Sequence, residues 1–155
     1  MEETPININR KSLTVLVAED DEDDRNFIRK AWDKSGITHD LRFVEDGEEL
    51  MDYLHNRDKY ADYQRYPAPG LILLDLNMPR KDGREALKEI KADPHLRVIP
   101  IVALTTSRAE EDVLRTYDLG VNSFITKPVT FSALVNIMQT LEKYWFDIVE
   151  LPRVY

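Results

Sequence analysis

Residues 71–83 read LILLDLNMPRKDG. Four apolar residues in a row are too few for a helix and suit a short strand buried on both faces. The run delivers one carboxylate, Asp75, into a loop that carries Pro79 and Gly83. Such a loop does not begin a helix at once, so the acid is placed to face a ligand and not to cap a first turn. Working outward, the same design recurs. Residues 13–18, LTVLVA, form a second apolar run, and others follow at 41–44, 99–105 and 123–126. Helical spacing fills the intervals. Phe27, Ile28, Ala31 and Trp32 share a face before Gly36. Leu50, Met51 and Leu54 follow, then Ala86, Leu87 and Ile90 ahead of Asp93-Pro94. Val113, Leu114 and Tyr117 precede Gly120, and Phe131, Leu134, Met138, Leu141 and Trp145 stripe the last helix. Five strand–helix units in strict alternation predict an α/β fold with a parallel sheet covered on both faces.

Composition narrows the function. The chain has 155 residues, 21 Lys+Arg against 29 Asp+Glu, and a net charge of −8. That length predicts one domain. Cysteine is absent, which excludes disulfides, thiolate zinc sites, iron–sulfur clusters and a cysteine nucleophile. An isoelectric point near 4.9 argues against binding nucleic acid through bulk charge. No apolar run approaches the roughly 20 residues that span a membrane. The polar start, MEETPININRKS, lacks the apolar region of a secretory signal. The expected compartment is the cytoplasm, with no membrane or nucleic-acid partner.

In a doubly wound sheet the ligand site lies at the carboxyl ends of the strands. Here those ends carry Glu19-Asp20-Asp21, Asp75, Thr105-Thr106 and Lys127-Pro128. Crowded carboxylates resist ionising together unless a cation joins them. Oxygen ligands alone suit a hard ion such as Mg²⁺. Acids, metal, hydroxyl and lysine together would hold a phosphoryl group. The run from Asp21 to Asp24 has a plainer reading as the N-cap and first turn of the next helix.

Taken together, VLVAEDD, LILLDLNMPRKDG, PIVALTTS and FITKP resemble, in order and spacing, the receiver domain of two-component response regulators. The resemblance spans residues 12–146, leaving an arm at 1–11 and an apolar extension at 147–155. It implies a flavodoxin-like doubly wound sheet of five parallel strands, order 2-1-3-4-5, with five flanking helices. It also implies that Asp75 is the phosphoacceptor for a sensor histidine kinase. Glu19, Asp20, Asp75 and the backbone carbonyl of Asn77 would hold Mg²⁺ or Mn²⁺. Thr105 and Lys127 would contact the phosphoryl group, and Phe124 would sit at the aromatic switch position. Asn77 and Ser107 would tune phosphoryl lifetime, and the bond to Pro128 would be cis. Signalling would pass through the face made by the fourth helix, fifth strand and fifth helix. No output domain follows in the sequence, so a stand-alone receiver is expected, catalysing only its own phosphotransfer and dephosphorylation.

Two segments exceed a minimal receiver. Residues 56–70, NRDKYADYQRYPAPG, read as an extended second helix with a solvated loop. Trp145, Phe146, Ile148, Val149, Leu151 and Val154 form an apolar terminus, read as a homodimer interface in preference to folding back. Both segments, with DGREAL and LTTS, resemble small response regulators that serve phytochrome kinases. His39, His55 and His95 read as surface residues. Three rivals remain. A haloacid-dehalogenase-like Mg phosphatase would need a second acid where Asn77 stands. A flavin module would need a Gly-rich phosphate loop after the first strand. A degenerate scaffold would not need the intact acid, hydroxyl and lysine set.

Overall fold

The computed structural model describes residues 12–106 and 110–152. The arm at 1–11, Ser107 and Val154 lie outside them. In chain order the elements are β1 (Thr14–Ala18), α1 (Glu22–Lys34), β2 (Asp40–Val44), α2 (Gly47–Leu54), β3 (Leu71–Leu74), α3 (Gly83–Ala92), β4 (Ile101–Thr105), α4 (Glu110–Asp118), β5 (Ser123–Thr126) and α5 (Phe131–Glu142). The strands form one parallel sheet in the order β2-β1-β3-β4-β5, as expected.

Strand periodicity divides the core. Leu16, Ala18, Ile72, Leu74, Ile101 and Ala103 face α2 and α3, where they meet Leu50, Met51, Leu87 and Ile90. Val15, Val17, Leu71, Leu73, Val102 and Leu104 face the other way, toward Ile28, Trp32, Leu134 and Met138 of α1 and α5. Both faces are covered, which is why β3 is apolar at every position and β1 and β4 carry one threonine each, at a strand end. Helix starts are set by side-chain caps: Asp21 accepts from the Asp24 N–H, Asp46 from Glu49, Thr130 from Ala133, and Asp82 forms a capping box with Glu85. The two edge strands are partly masked. Arg29 donates to the Leu41 carbonyl at 3.0 Å on β2, and the Phe124 N–H of β5 donates to the Tyr117 hydroxyl at 3.2 Å.

The segment 56–70 is not an extension of α2. The helix stops at Leu54, and Asn56 and Asp58 take left-handed backbones, φ 52° and 53°. The Asn56 amide donates to the Tyr60 and Tyr66 carbonyls at 2.9 and 3.1 Å, closing the loop. Tyr53, Tyr60 and Tyr66 then pack ring on ring, with centroids 5.0–5.8 Å apart. Tyr63, on the same three-residue spacing, is 68% exposed. The tyrosine spacing therefore serves a folded loop, not a helix face.

The apolar terminus also departs from expectation. A π-helical turn, Lys143–Ile148, continues α5 without a break. Phe146 is only 1% exposed and belongs to the α1/α5 side of the core. Its ring lies 4.4 Å from that of His39, whose Nδ1 accepts the Leu13 N–H at 3.0 Å. His39 is thus half-buried, not a surface residue. Trp145 and Leu151 pack partly on the same core. Burial inside the protomer removes Phe146 from the dimer candidates; Ile148, 60% exposed, keeps its side chain in solvent, and Val149 is half-buried.

Candidate functional site

Backbone pairing brings the strand ends together. The Glu19 N–H donates to Val44 O at 2.9 Å, Asp75 N–H to Ala18 O at 3.0 Å, and Lys127 N–H to Thr105 O at 2.8 Å. Each side chain that follows a strand therefore emerges at one sheet edge. Oxygens of Glu19, Asp20 and Asp75 all lie within 4.8 Å of one another. Glu19, Asp75 and Thr105 are buried, whereas Asp20 is exposed.

The Lys127 ammonium is the hub. It donates to Asp24 at 2.9 Å, to Asp75 Oδ2 at 3.3 Å, and to Glu19. Burial opposes its charge, but three carboxylates outweigh that and hold its pKa above the ordinary lysine value. Glu19 shows the converse balance. Burial, with some help from the charge on Asp75, pushes its carboxyl up to about 7 against the pull of Lys127. Such a site is short of positive charge. Its all-oxygen donors suit a hard divalent cation, which would lower the repulsion between the acids.

The sheet edge gathers the predicted residues unequally. The Asn77 amide donates to the Thr105 hydroxyl at 3.3 Å, and the Asn77 N–H to Asp75 Oδ1 at 3.1 Å. Phe124 lies on β5, half-buried against the core, away from the acids. The Lys127–Pro128 bond is trans, as are all peptide bonds among the described residues, which corrects the cis isomer implied by the resemblance. Trans is the lower-energy form of an X–Pro bond by about 0.5–1 kcal/mol, and from it Lys127 already reaches three carboxylates.

Two further residues contribute to the site. Asp24, assigned only to the first helical turn, also pairs with Lys127. It is the third residue of α1, in the first turn that rises from the acidic segment. Arg25 donates to the carbonyls of Glu19 and Asp20 at 3.0 and 2.9 Å and so fixes the acidic segment. Beside Lys127 lies a cavity of about 290 Å³, whose lining includes Phe27, Ile28, Leu104, Pro128 and Leu134.

Comparison with known proteins agrees with this geometry. Residues 15–139 match the family described as the response regulator receiver domain. Response regulator Rcp1 of Synechocystis sp. is 41% identical over 138 residues, covering 89% of this chain and 92% of that protein. The crystal structure of the phosphorylated cyanobacterial phytochrome response regulator RcpA matches with a TM-score of 0.84 at 42% identity, over 92% of this chain and 100% of that one. The Mn²⁺-bound form of Rcp1 matches with a TM-score of 0.80 at 40% identity, over 91% and 99%.

Proposed function

The chain belongs to the response regulator receiver family, and we propose that Asp75 is its phosphoacceptor, served by a sensor histidine kinase of the phytochrome type. The observation that carries this is the placement of Asp75: buried, 3.3 Å from Lys127, with Glu19 and Asp20 oxygens within 4.8 Å. The phytochrome assignment draws its support from the likeness to RcpA.

The chemistry follows from the residues. A carboxylate oxygen of Asp75 attacks the phosphorus of a phosphoimidazole. The P–N bond breaks, its electron pair returns to the donor ring, and an acyl phosphate remains on Asp75. Lys127 holds a fixed positive charge beside the new group. The Thr105 hydroxyl exchanges its Asn77 contact for a phosphoryl oxygen. The Glu19 and Asp20 carboxylates, with the Asn77 carbonyl, would hold Mg²⁺ or Mn²⁺, which when bound would offset phosphoryl charge. The move of Thr105 biases β4, and Phe124 on the adjacent β5 carries the change to the face of α4, β5 and α5. In this reading the protein turns over no separate substrate and meets its kinase in the cytoplasm. No helix among the described residues is long and apolar enough to cross a membrane.

Intact mass after incubation with acetyl phosphate tests the reading. One phosphoryl group should appear with Mg²⁺ and be lost when a chelator is present. Uptake undiminished by chelation would remove the metal from the reading, and no uptake with Mg²⁺ would favour a phosphorylation-independent scaffold.

We also propose a homodimer through exposed apolar side chains that follow the fifth helix: Ile148 of the candidates, 60% exposed, joined by Tyr144, 49% exposed, which lies outside the expected set. Sedimentation equilibrium should show dimer for the wild type and a shift toward monomer for Ile148→Asp; a wild-type monomer at high concentration would end this proposal.

A further inference from the structure

The loop that carries Asn77 is held at two places, and the second lies outside the acid cluster. Its inner part is set by the core: Leu76 and Met78 are buried, and the Gly83 N–H donates back to Leu76 O at 3.0 Å. Gly83 must be glycine here, because a Cβ would sit 2.7 Å from Leu76 Cα. Its outer part rests on the start of α2. The Gly47 N–H donates to Lys81 O at 2.9 Å, an approach so close that a Cβ on Gly47 would stand 2.8 Å from the Lys81 carbonyl carbon. Beside it, Asp46 is 2% exposed and uses both oxygens. One accepts the Glu49 N–H at 2.8 Å, and the other pairs with the Arg80 guanidinium.

Arg80 is the informative residue. It is 64% exposed at its side chain, yet its backbone is left-handed, φ 62°. The left-handed conformation is unfavourable for a residue with a Cβ and persists where neighbours over-determine it. The buried Asp46 carboxylate pairs with the Arg80 side chain, and the Gly47 N–H holds the next residue of the loop. Glu48 stands farther off, at 3.8 Å.

We propose that Asp46 and Arg80 are positioning residues for the phosphoacceptor site: their ion pair, clamping the outer half of the 75–83 loop onto α2, sets the position of the Asn77 carbonyl and with it the affinity for the divalent cation. The inference rests on the metal reading given under Proposed function. The clamp touches neither metal nor phosphoryl group and acts only through the loop.

The test measures Mg²⁺ binding by titration calorimetry on wild type, Arg80→Gly, Asp46→Asn and the double variant, with thermal melts of each. Arg80→Gly is the key variant, because glycine relieves the backbone while deleting the clamp. Its Mg²⁺ affinity should fall about tenfold, the low end for groups that orient a metal ligand from outside, while relief of the backbone offsets part of the stability lost when Asp46 is left without its cation. Asp46→Asn keeps an oxygen for the Glu49 N–H and should weaken Mg²⁺ to a similar degree. The double variant should be no weaker than either single one, since both remove the same contact. Unchanged Mg²⁺ affinity in Arg80→Gly, or additive losses in the double variant, would overturn the clamp and leave the metal site standing. A wild type that binds no Mg²⁺ would overturn the metal reading and the clamp with it.

Discussion

Asp75→Asn is expected to take up no phosphoryl group from acetyl phosphate plus Mg²⁺, a fall in rate of at least about a thousandfold. The substitution keeps the shape of the side chain and removes the anionic oxygen that would attack phosphorus. Glu19 and Asp20 remain, but neither is placed as Asp75 is. Glu19 is engaged by Lys127 and by the Asp21 N–H, and Asp20 is exposed at the rim. The fold should survive, because the change removes one member of a mutually repelling cluster. A second readout follows from the electrostatics. Part of the upward push on Glu19 comes from the charge on Asp75, so its carboxyl should titrate lower in the variant, as carbon-detected NMR would show. Uptake at the wild-type rate, followed by mass spectrometry, would remove Asp75 from the role of acceptor.

Phe146→Ala should cost about 3–5 kcal/mol of stability, read from urea unfolding followed by tryptophan fluorescence. The ring is 1% exposed and sits among the residues of α1 and α5. It also holds the His39 ring, which takes the Leu13 N–H just before β1. Truncation would open a cavity where the terminal turn meets the sheet. A loss of that size is a large share of the roughly 5–15 kcal/mol that stabilises an ordinary domain. Val129→Ala, 89% exposed, should change unfolding by less than about 0.5 kcal/mol. A cost below about 1 kcal/mol for Phe146→Ala would mean that the terminal segment rests on the domain without supporting it.

Several features could be read before any coordinates. The alternation of short apolar runs with amphipathic spacing determines a parallel, two-sided sheet, because only burial on both faces accounts for strands such as 71–74 that are apolar throughout. Parallel strands share a direction, so the residues after each run must meet at one edge. That is why Glu19, Asp75, Thr105 and Lys127 could be placed together from their positions alone. Tertiary structure decided what depends on one side chain meeting another across elements. Asp24 looked like a helix-start acid, and it is one, but the return of β5 sets Lys127 against it. Phe146 reads in sequence as part of a dimer surface, because nothing in its neighbours along the chain shows that the helical extension of α5 stays packed on the core. Tyr60 and Tyr66 fall in a segment whose sequence reads as an extended second helix with a solvated loop, whereas the left-handed Asn56 ends helical backbone before them. The buried Asp46 and the strained Arg80 lie 34 residues apart, and no spacing rule links them. Hydrophobic period and strand direction are local properties repeated along the chain, and they can be read there. Ion pairs, ring contacts and backbone strain are fixed by where distant segments come to rest, and only the folded chain contains that information.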